Sequence, residues 1–184
     1  KRNIPQLDLS PLATPRKASR AEHGAMRELT FLSMAVVCVL SHSAARAGTV
    51  VVAAGGDAPP RGTGVFAEGL GIPVLHNSGK AVFLANLREG GFLTGGGIFC
   101  GNGTPGSLET VVLNGDPLPD ASGNFGSFPY PQVNGAGQIV TYASLQNALG
   151  ANWGIFRFDG SDVITEIVRD NQLEPGGNGQ ITSV

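Results

Sequence analysis

One short pattern returns along this chain at a nearly fixed interval, and that limits what the chain can fold into. Gly56-Asp57-Ala58-Pro59-Pro60 recurs 59 residues later as Gly115-Asp116-Pro117-Leu118-Pro119. It recurs in altered form, a further 56 residues on, as Asn171-Gln172-Leu173-Glu174-Pro175. Each copy follows an apolar pair: Val51-Val52, Val111-Val112 and Ile167-Val168. Phe66 pairs with Phe125, and Pro73 lies near the same offset from Pro131. His76-Asn77-Ser78-Gly79 matches Asn134-Gly135-Ala136-Gly137, and Gly97-Ile98-Phe99 matches Gly154-Ile155-Phe156. Landmarks kept in one order at a period of this size read as a tandem repeat, each unit being one supersecondary structure stacked on its neighbours.

The pattern inside each unit is that of strands. In the second unit, four short strands are expected at Gln132-Val133 with its flank, Gln138 to Leu145, Trp153 to Phe158 and Val163 to Arg169. Turn residues separate them. Asn134 to Gly137 suits a tight hairpin, because Asn bonds its own backbone two residues on and Gly accepts positive φ. Asp159-Gly160 marks a second hairpin. At Gly115-Asp116, Gly permits the bend, Asp caps it, and Pro119 stops pairing on that side. Ala81-Val82-Phe83-Leu84-Ala85 is apolar without alternation, which predicts a strand covered on both faces. The expected fold is therefore all-β: tandem four-stranded units resembling β-propeller blades, in an incomplete ring. A β-solenoid or tandem β-sandwich is the alternative.

The charge is uneven. Residues 1–47 carry seven Lys/Arg against three acids, and the remainder carries five against eleven. From Met26 the chain reads as a secretory signal: Arg27, an apolar stretch Phe31 to Leu40, and the small-x-small site Ala45-Arg46-Ala47. Ten or eleven apolar residues make about 16 Å of helix, roughly half of a hydrocarbon core of about 30 Å, so no permanent membrane span is expected. Val37 is the wrong residue type before Cys38 for a lipoprotein signal. Cleavage is expected after Ala47. Residues 1–25 are expected to be a disordered upstream segment, with Met26 as the true start. The division is then 26–47 signal peptide, 48–111 first unit, 112–168 second unit and 169–184 the start of a third, truncated unit. Further repeats are expected in the natural protein, because about three or more units are needed to bury one another's faces.

The Gly-Asp-x-x-Pro turn, the Asn-x-x-Gly hairpin, the Gly-Ile-Phe strand and Pro175-Gly176-Gly177-Asn178-Gly179 together resemble the bacterial choice-of-anchor tandem repeat proteins. That family is named for an Asn-x-x-Gly-x-x-Ala-Phe motif. The resemblance covers roughly residues 50–184 and implies a planctomycete-type exported repeat protein without a known activity. This chain departs from the motif. The first unit has His76 for Asn and Val82 for Ala, keeping Phe83, while the second has Val140 and Thr141 for Ala-Phe.

Residues that look chemical in isolation mostly fall on repeat positions. Asp57, Asp116, Asp159 and Asp162 read as turn caps rather than calcium ligands, since calcium takes six to eight oxygens and each turn offers one or two acids. His76 holds the place of Asn134 and reads as a turn residue rather than a base or metal ligand. Gly95 to Gly101 opens a strand, so it is not a dinucleotide loop, which opens a helix. Cys100 has no second cysteine to pair with outside the leader and reads as a small buried apolar residue. Glu68, Glu89, Glu109 and Glu166 are the carboxylates a glycosidase would draw on, yet none sits in a distinctive setting. Trp153, Tyr130 and Tyr142 suit either a carbohydrate-stacking surface or, for Trp153, core packing. No catalytic, cofactor-binding or metal residue is therefore assigned, and no cofactor is expected. The acidic body offers no cluster of bases for nucleic acid. The expectation is an exported or cell-surface scaffold of adhesion type, binding an extracellular protein or glycan. The alternative is a secreted propeller enzyme acting on polysaccharide, a glycosidase or lyase.

Overall fold

Every described strand is built from β-branched, aromatic or glycine-rich sequence punctuated by positive-φ glycines, which is what antiparallel meanders require. The structure, a computed structural model, describes residues 37–39, 49–160, 163–177 and 179–182, all within one unit, Ser33–Val184. Among them there is no helix. A short ladder pairs β1 (Val37–Val39) with β2 (Thr49–Val51). The rest of the expected leader, and residues 1–25, lie outside the described residues.

Beyond this ladder the chain forms two antiparallel five-stranded sheets, neither closed into a barrel. The first contains β3 (Val65–Phe66), β4 (Val74–Leu75), β5 (Ala81–Glu89), β6 (Phe92–Gly101) and β7 (Glu109–Leu113). The second contains β8 (Asn124–Phe125), β9 (Gln132–Val133), β10 (Ile139–Gln146), β11 (Trp153–Phe158) and β12 (Ile164–Arg169). Their connectivity is the same. β3 and β4 both pair with β5, as β8 and β9 both pair with β10; each meander then continues through two hairpins to its last strand. The four strands expected in the second unit appear within a residue of their expected bounds. The additional strand, β8, carries Phe125.

A bulge recurs at matching points. Ile98 pairs with Val112 but Phe99 with Thr110, leaving Val111 unpaired in β7. Ile155 pairs with Val168 but Phe156 with Glu166, leaving Ile167 unpaired in β12. This explains the glycine of the Gly-Ile-Phe landmark. A Cβ on Gly97 would stand 2.3 Å from the Val112 carbonyl oxygen, and one on Gly154 would stand 3.0 Å from that of Val168.

The core follows from the alternation of β5 and β10. One cluster gathers Val82, Ile98, Cys100, Val111 and Val112 of the first sheet with Leu118, Phe125, Phe128, Ile139, Ala143, Phe156 and Phe158. The other face of the first sheet packs Phe66, Phe83 and Phe99 with Val52, Ala53 and the alanines of β5. The strand Ala81 to Ala85 is thus covered on both sides, as its composition predicts. Phe66 meets Phe99 edge-on at 4.8 Å, and Phe125 meets Phe156 edge-on at 4.8 Å. Each such aromatic pair contributes about 0.5–1.5 kcal/mol beyond area burial. Bulk is distributed differently around these pairs. The cross-strand pairs Phe83/Phe99 and Ala81/Gly101 become Thr141/Phe156 and Ile139/Phe158 in the second sheet. Volume lost at Thr141 is regained one non-neighbouring pair along, which keeps the core filled.

Candidate functional site

The Gly-Asp turn is the most conspicuous polar construction, and it is built three times with the same bonds. Gly56 N–H donates to the Phe66 carbonyl, and Phe66 N–H donates back to that of Asp57, at 2.9 and 2.8 Å. Gly115, Phe125 and Asp116 repeat this at 2.7 and 2.8 Å, and Asn171, Ile181 and Gln172 at 2.7 and 2.8 Å. In each, a side-chain oxygen accepts from the backbone N–H three residues back, which in the second and third copies is the strand end. Ala54 N–H donates to Asp57 Oδ2 at 2.8 Å, Leu113 N–H to Asp116 Oδ2 at 2.7 Å, and Arg169 N–H to Gln172 Oε1 at 3.0 Å. Gly56 and Gly115 occupy φ of 93° and 88°, where Asn171 takes 64°; Asn is among the few side chains that tolerate this region. Only the first two copies show the pattern plainly in sequence, and Ile181 is a partner that sequence reading missed.

The turns are also tied to one another. Arg61, in the loop before β3, donates two hydrogen bonds to Asp116 at 2.6 Å each. Asp120 and Ser122, in the loop before β8, receive Arg169 at 3.2 and 2.7 Å. Arg169 also pairs with Glu166. The Ser122 backbone N–H, its hydroxyl and then Arg169 hold the Asp120 carboxyl down to about 2. The Asp residues weighed as calcium ligands are thereby spent on structure. Asp159 accepts from Arg157 and, at 2.7 Å, from Gln138, while Asp162 lies outside the described residues. Among the described residues, no three His, Cys, Asp or Glu are grouped so as to hold a metal ion.

His76 sits in the hairpin turn before β5, at the place that Asn134 takes before β10. Asn134 Oδ1 accepts from Ala136 N–H at 3.0 Å; His76 Nδ1 accepts from Ser78 N–H at 3.2 Å. Its Nε2 lies 3.1 Å from the Gly135 carbonyl, joining the two hairpins. A cavity of about 70 Å³ below it is lined by His76, Lys80, Cys100 and Glu109. This grouping was not legible in the sequence, where neither His nor Lys stands near Cys100. Glu109 lies 3.7 Å from the thiol and 3.5 Å from Lys80 Nζ. Burial, and then the Glu109 charge, push the thiol up to about 11. Such a group stays protonated near neutrality, the opposite of an activated nucleophile.

The remaining candidates stay apart. Glu68 and Glu89 are exposed, Glu109 faces Lys80, and Glu166 faces Arg169. Gly95 to Gly101 lies within β6, which excludes the dinucleotide loop. Tyr130 is largely exposed on a loop. Tyr142 and Trp153 stack at 5.8 Å on the outer face of the second sheet, and the indole N–H is buried without an acceptor among the described residues. A cleft of about 310 Å³ at the junction of the sheets is lined by Asn86, Asn114, Ser127, Phe128 and glycines, with no charged group.

The model of a family described as "Family of unknown function (DUF7453)" matches residues 24–184. The chain belongs to that family. The match includes all the described strands, so the two sheets and the three turns are features of a DUF7453 chain. Comparison with curated proteins and with solved structures returned no match. Among the described residues, no helix is long and apolar enough to cross a membrane.

Proposed function

We propose that this chain is an exported, non-catalytic scaffold of adhesion type, assembled from tandem sheets that stack as neighbouring propeller-like blades. The observation that carries the reading is the use made of its polar side chains. Asp57, Asp116, Asp120, Asp159, Glu166, Gln172 and His76 each hold a turn, a hairpin or a neighbouring loop. Among the described residues, few polar side chains remain to act on a substrate. The identical strand order of the two sheets and their common core support the tandem arrangement, as does the likeness of the landmarks to choice-of-anchor repeat proteins. The partner is an extracellular protein or glycan met by the loops.

Export from Met26 with cleavage after Ala47 belongs to the same reading. The mature chain would begin at Gly48 and leave β2 without β1. Expression in a bacterial host tests export: the secreted product should have the mass of a chain starting at Gly48, and a cell-retained product beginning at or before Met26 would sink it. The scaffold reading is tested by incubating the purified protein with a panel of polysaccharides and measuring new reducing ends and unsaturated products. No turnover is expected. Turnover abolished by Glu109→Gln or Glu166→Gln would replace the scaffold with the secreted enzyme.

A further inference from the structure

The two sheets present the same row of side chains to opposite fates. In the first sheet, Leu84, Ile98 and Val112 pair across β5, β6 and β7. Ile98 and Val112 are fully buried there, and the bulge residue Val111 is 2% exposed. In the second sheet, Tyr142, Ile155 and Val168 form the matching row across β10, β11 and β12. Tyr142 is 44% exposed and the bulge residue Ile167 is 53% exposed. The first row is closed by side chains from the second turn onward: Leu118, Phe125 and Phe128, then Ile139, Phe156 and Phe158.

We propose that the row Tyr142–Ile155–Val168, with Trp153 and Ile167, is the docking face for a further sheet of the same construction, entering through Ile181. The inference rests on the tandem-sheet reading and adds its contact face and occupant. Continuity with the existing interface names the occupant. Turn three carries the same backbone bonds as turn two, and Ile181 holds the place of Phe125 in them. Leu173 bridges Gln180 as Pro117 bridges Asn124. The chain is thus already led onto the open row in the way it is led onto the closed one. The occupant must bring an aromatic face like that of Phe125, Phe156 and Phe158, since the row it covers matches the one those rings close. An exposed row of this kind otherwise remains a liability for association.

The test lengthens the protein by one period: residues 1–181 followed by a second copy of residues 126–184, the added copy carrying Trp153→Phe. The native chain has a single tryptophan, so its emission reports the row alone. Docking should move Trp153 emission to shorter wavelength and protect it from acrylamide, and Ile167→Lys in the same lengthened chain should reverse both changes. Emission and quenching unchanged from the native chain overturn the proposal. So does an added copy that proteolysis removes without altering Trp153, because a docked sheet would be protected. A native chain that dimerises through this face, with Ile167→Lys restoring the monomer and the lengthened chain still dimeric when its added copy carries Ile167→Lys, would assign the face to a second copy instead. Polysaccharide turnover would sink the scaffold reading and leave the docking result untouched.

Discussion

Ile98 and Ile155 occupy the same place in two sheets of the same order, yet the first is fully buried and the second partly exposed. The residues differ little; the neighbours differ. The first sheet lies between Val52 and Ala53 on one face and the phenylalanine cluster of the second sheet on the other. The second sheet has that cluster on one face alone. Burial in such an arrangement belongs to the junction between sheets rather than to the strand. The substitutions between the sheets agree with this, with Tyr142 where Leu84 stands. A phenol keeps its polar end wet while its ring covers apolar surface, whereas Leu fits a dry junction.

The sharpest way to break this comparison is to place a charge at the two bulges. Val111→Lys buries an unpaired ammonium in the shared core and should cost about 3–5 kcal/mol. Ile167→Lys leaves its charge in water and should stay within about 0.5 kcal/mol. Urea unfolding with unchanged slope would report both as midpoint shifts. Equal effects would mean that the second row is covered after all.

The glycines before the bulges probe what the sheets share. Gly97→Ala and Gly154→Ala each push a methyl toward the carbonyl that the bulge brings close, and should each cost about 1–3 kcal/mol. Gly97→Ala should be the worse, since its contact at 2.3 Å is with backbone, while the nearest neighbour of Gly154 is the Phe156 ring. Melting temperatures of the pair would rank them, and the reverse order would show that β6 relaxes more easily than β11.

The turns come next in size. Asp57→Ala removes one cap and should cost about 1 kcal/mol. Asp116→Ala removes the same cap together with the Arg61 pair, which is half-exposed and adds at most about 1 kcal/mol. A double-mutant cycle between Arg61→Ala and Asp116→Ala separates the two contributions. A coupling near zero would make the tie between turns incidental.

These turns also show how much was legible beforehand. Asp and Gly were readable because each does a local job that few residues can do: a carboxylate three residues from a free N–H, and a φ near 90°. His76 was readable because Asn134, at the matching place in the second hairpin, shows what its position is for. What could not be read are the choices made across distance. The bulges at Val111 and Ile167 depend on pairing between strands, Ile181 is recognised only by its partners in turn three, and Arg61–Asp116 joins two loops. Lys80, just before β5, and Glu109, at the start of β7, come to Cys100 from separate segments, so no spacing in the sequence announces that cavity.

Titration separates the two regions with a smaller effect. In the first sheet the folded state holds the Cys100 thiol up to about 11 against an ordinary 9.0. That contribution is complete below 9.0 and is lost as pH rises toward 11. In the second, the loop before β8 holds Asp120 at about 2 against 3.8. That contribution is complete above 3.8 and is lost as pH falls toward 2. The stability difference between the native chain and Cys100→Ala should therefore shrink at alkaline pH, and that for Asp120→Asn should shrink at acid pH. Differences that are flat with pH would mean that neither group is held as its surroundings imply.

The smallest effect expected is the most specific. His76→Asn installs in the first hairpin the residue that the second already uses. Asn134 Oδ1 accepts from the N–H two residues on and from Gln138 N–H at 3.0 Å, while Gly137 supplies the positive φ. Gly79 supplies the same φ in the first hairpin, 81° against 83°. An Asn at 76 can thus make the bond to Ser78 N–H that His76 Nδ1 makes. It gives up only the Nε2 contact with Gly135, an exposed bond whose net worth is about 0.5–1.5 kcal/mol at most. His76→Asn should then change stability by under about 1 kcal/mol, and His76→Ala, which also loses the bonds to the Ser78 N–H and hydroxyl, should cost more. The order of the two midpoints in urea decides the matter. If Asn were as damaging as Ala, the ring would be held for its reach to the second hairpin rather than for its place in the first.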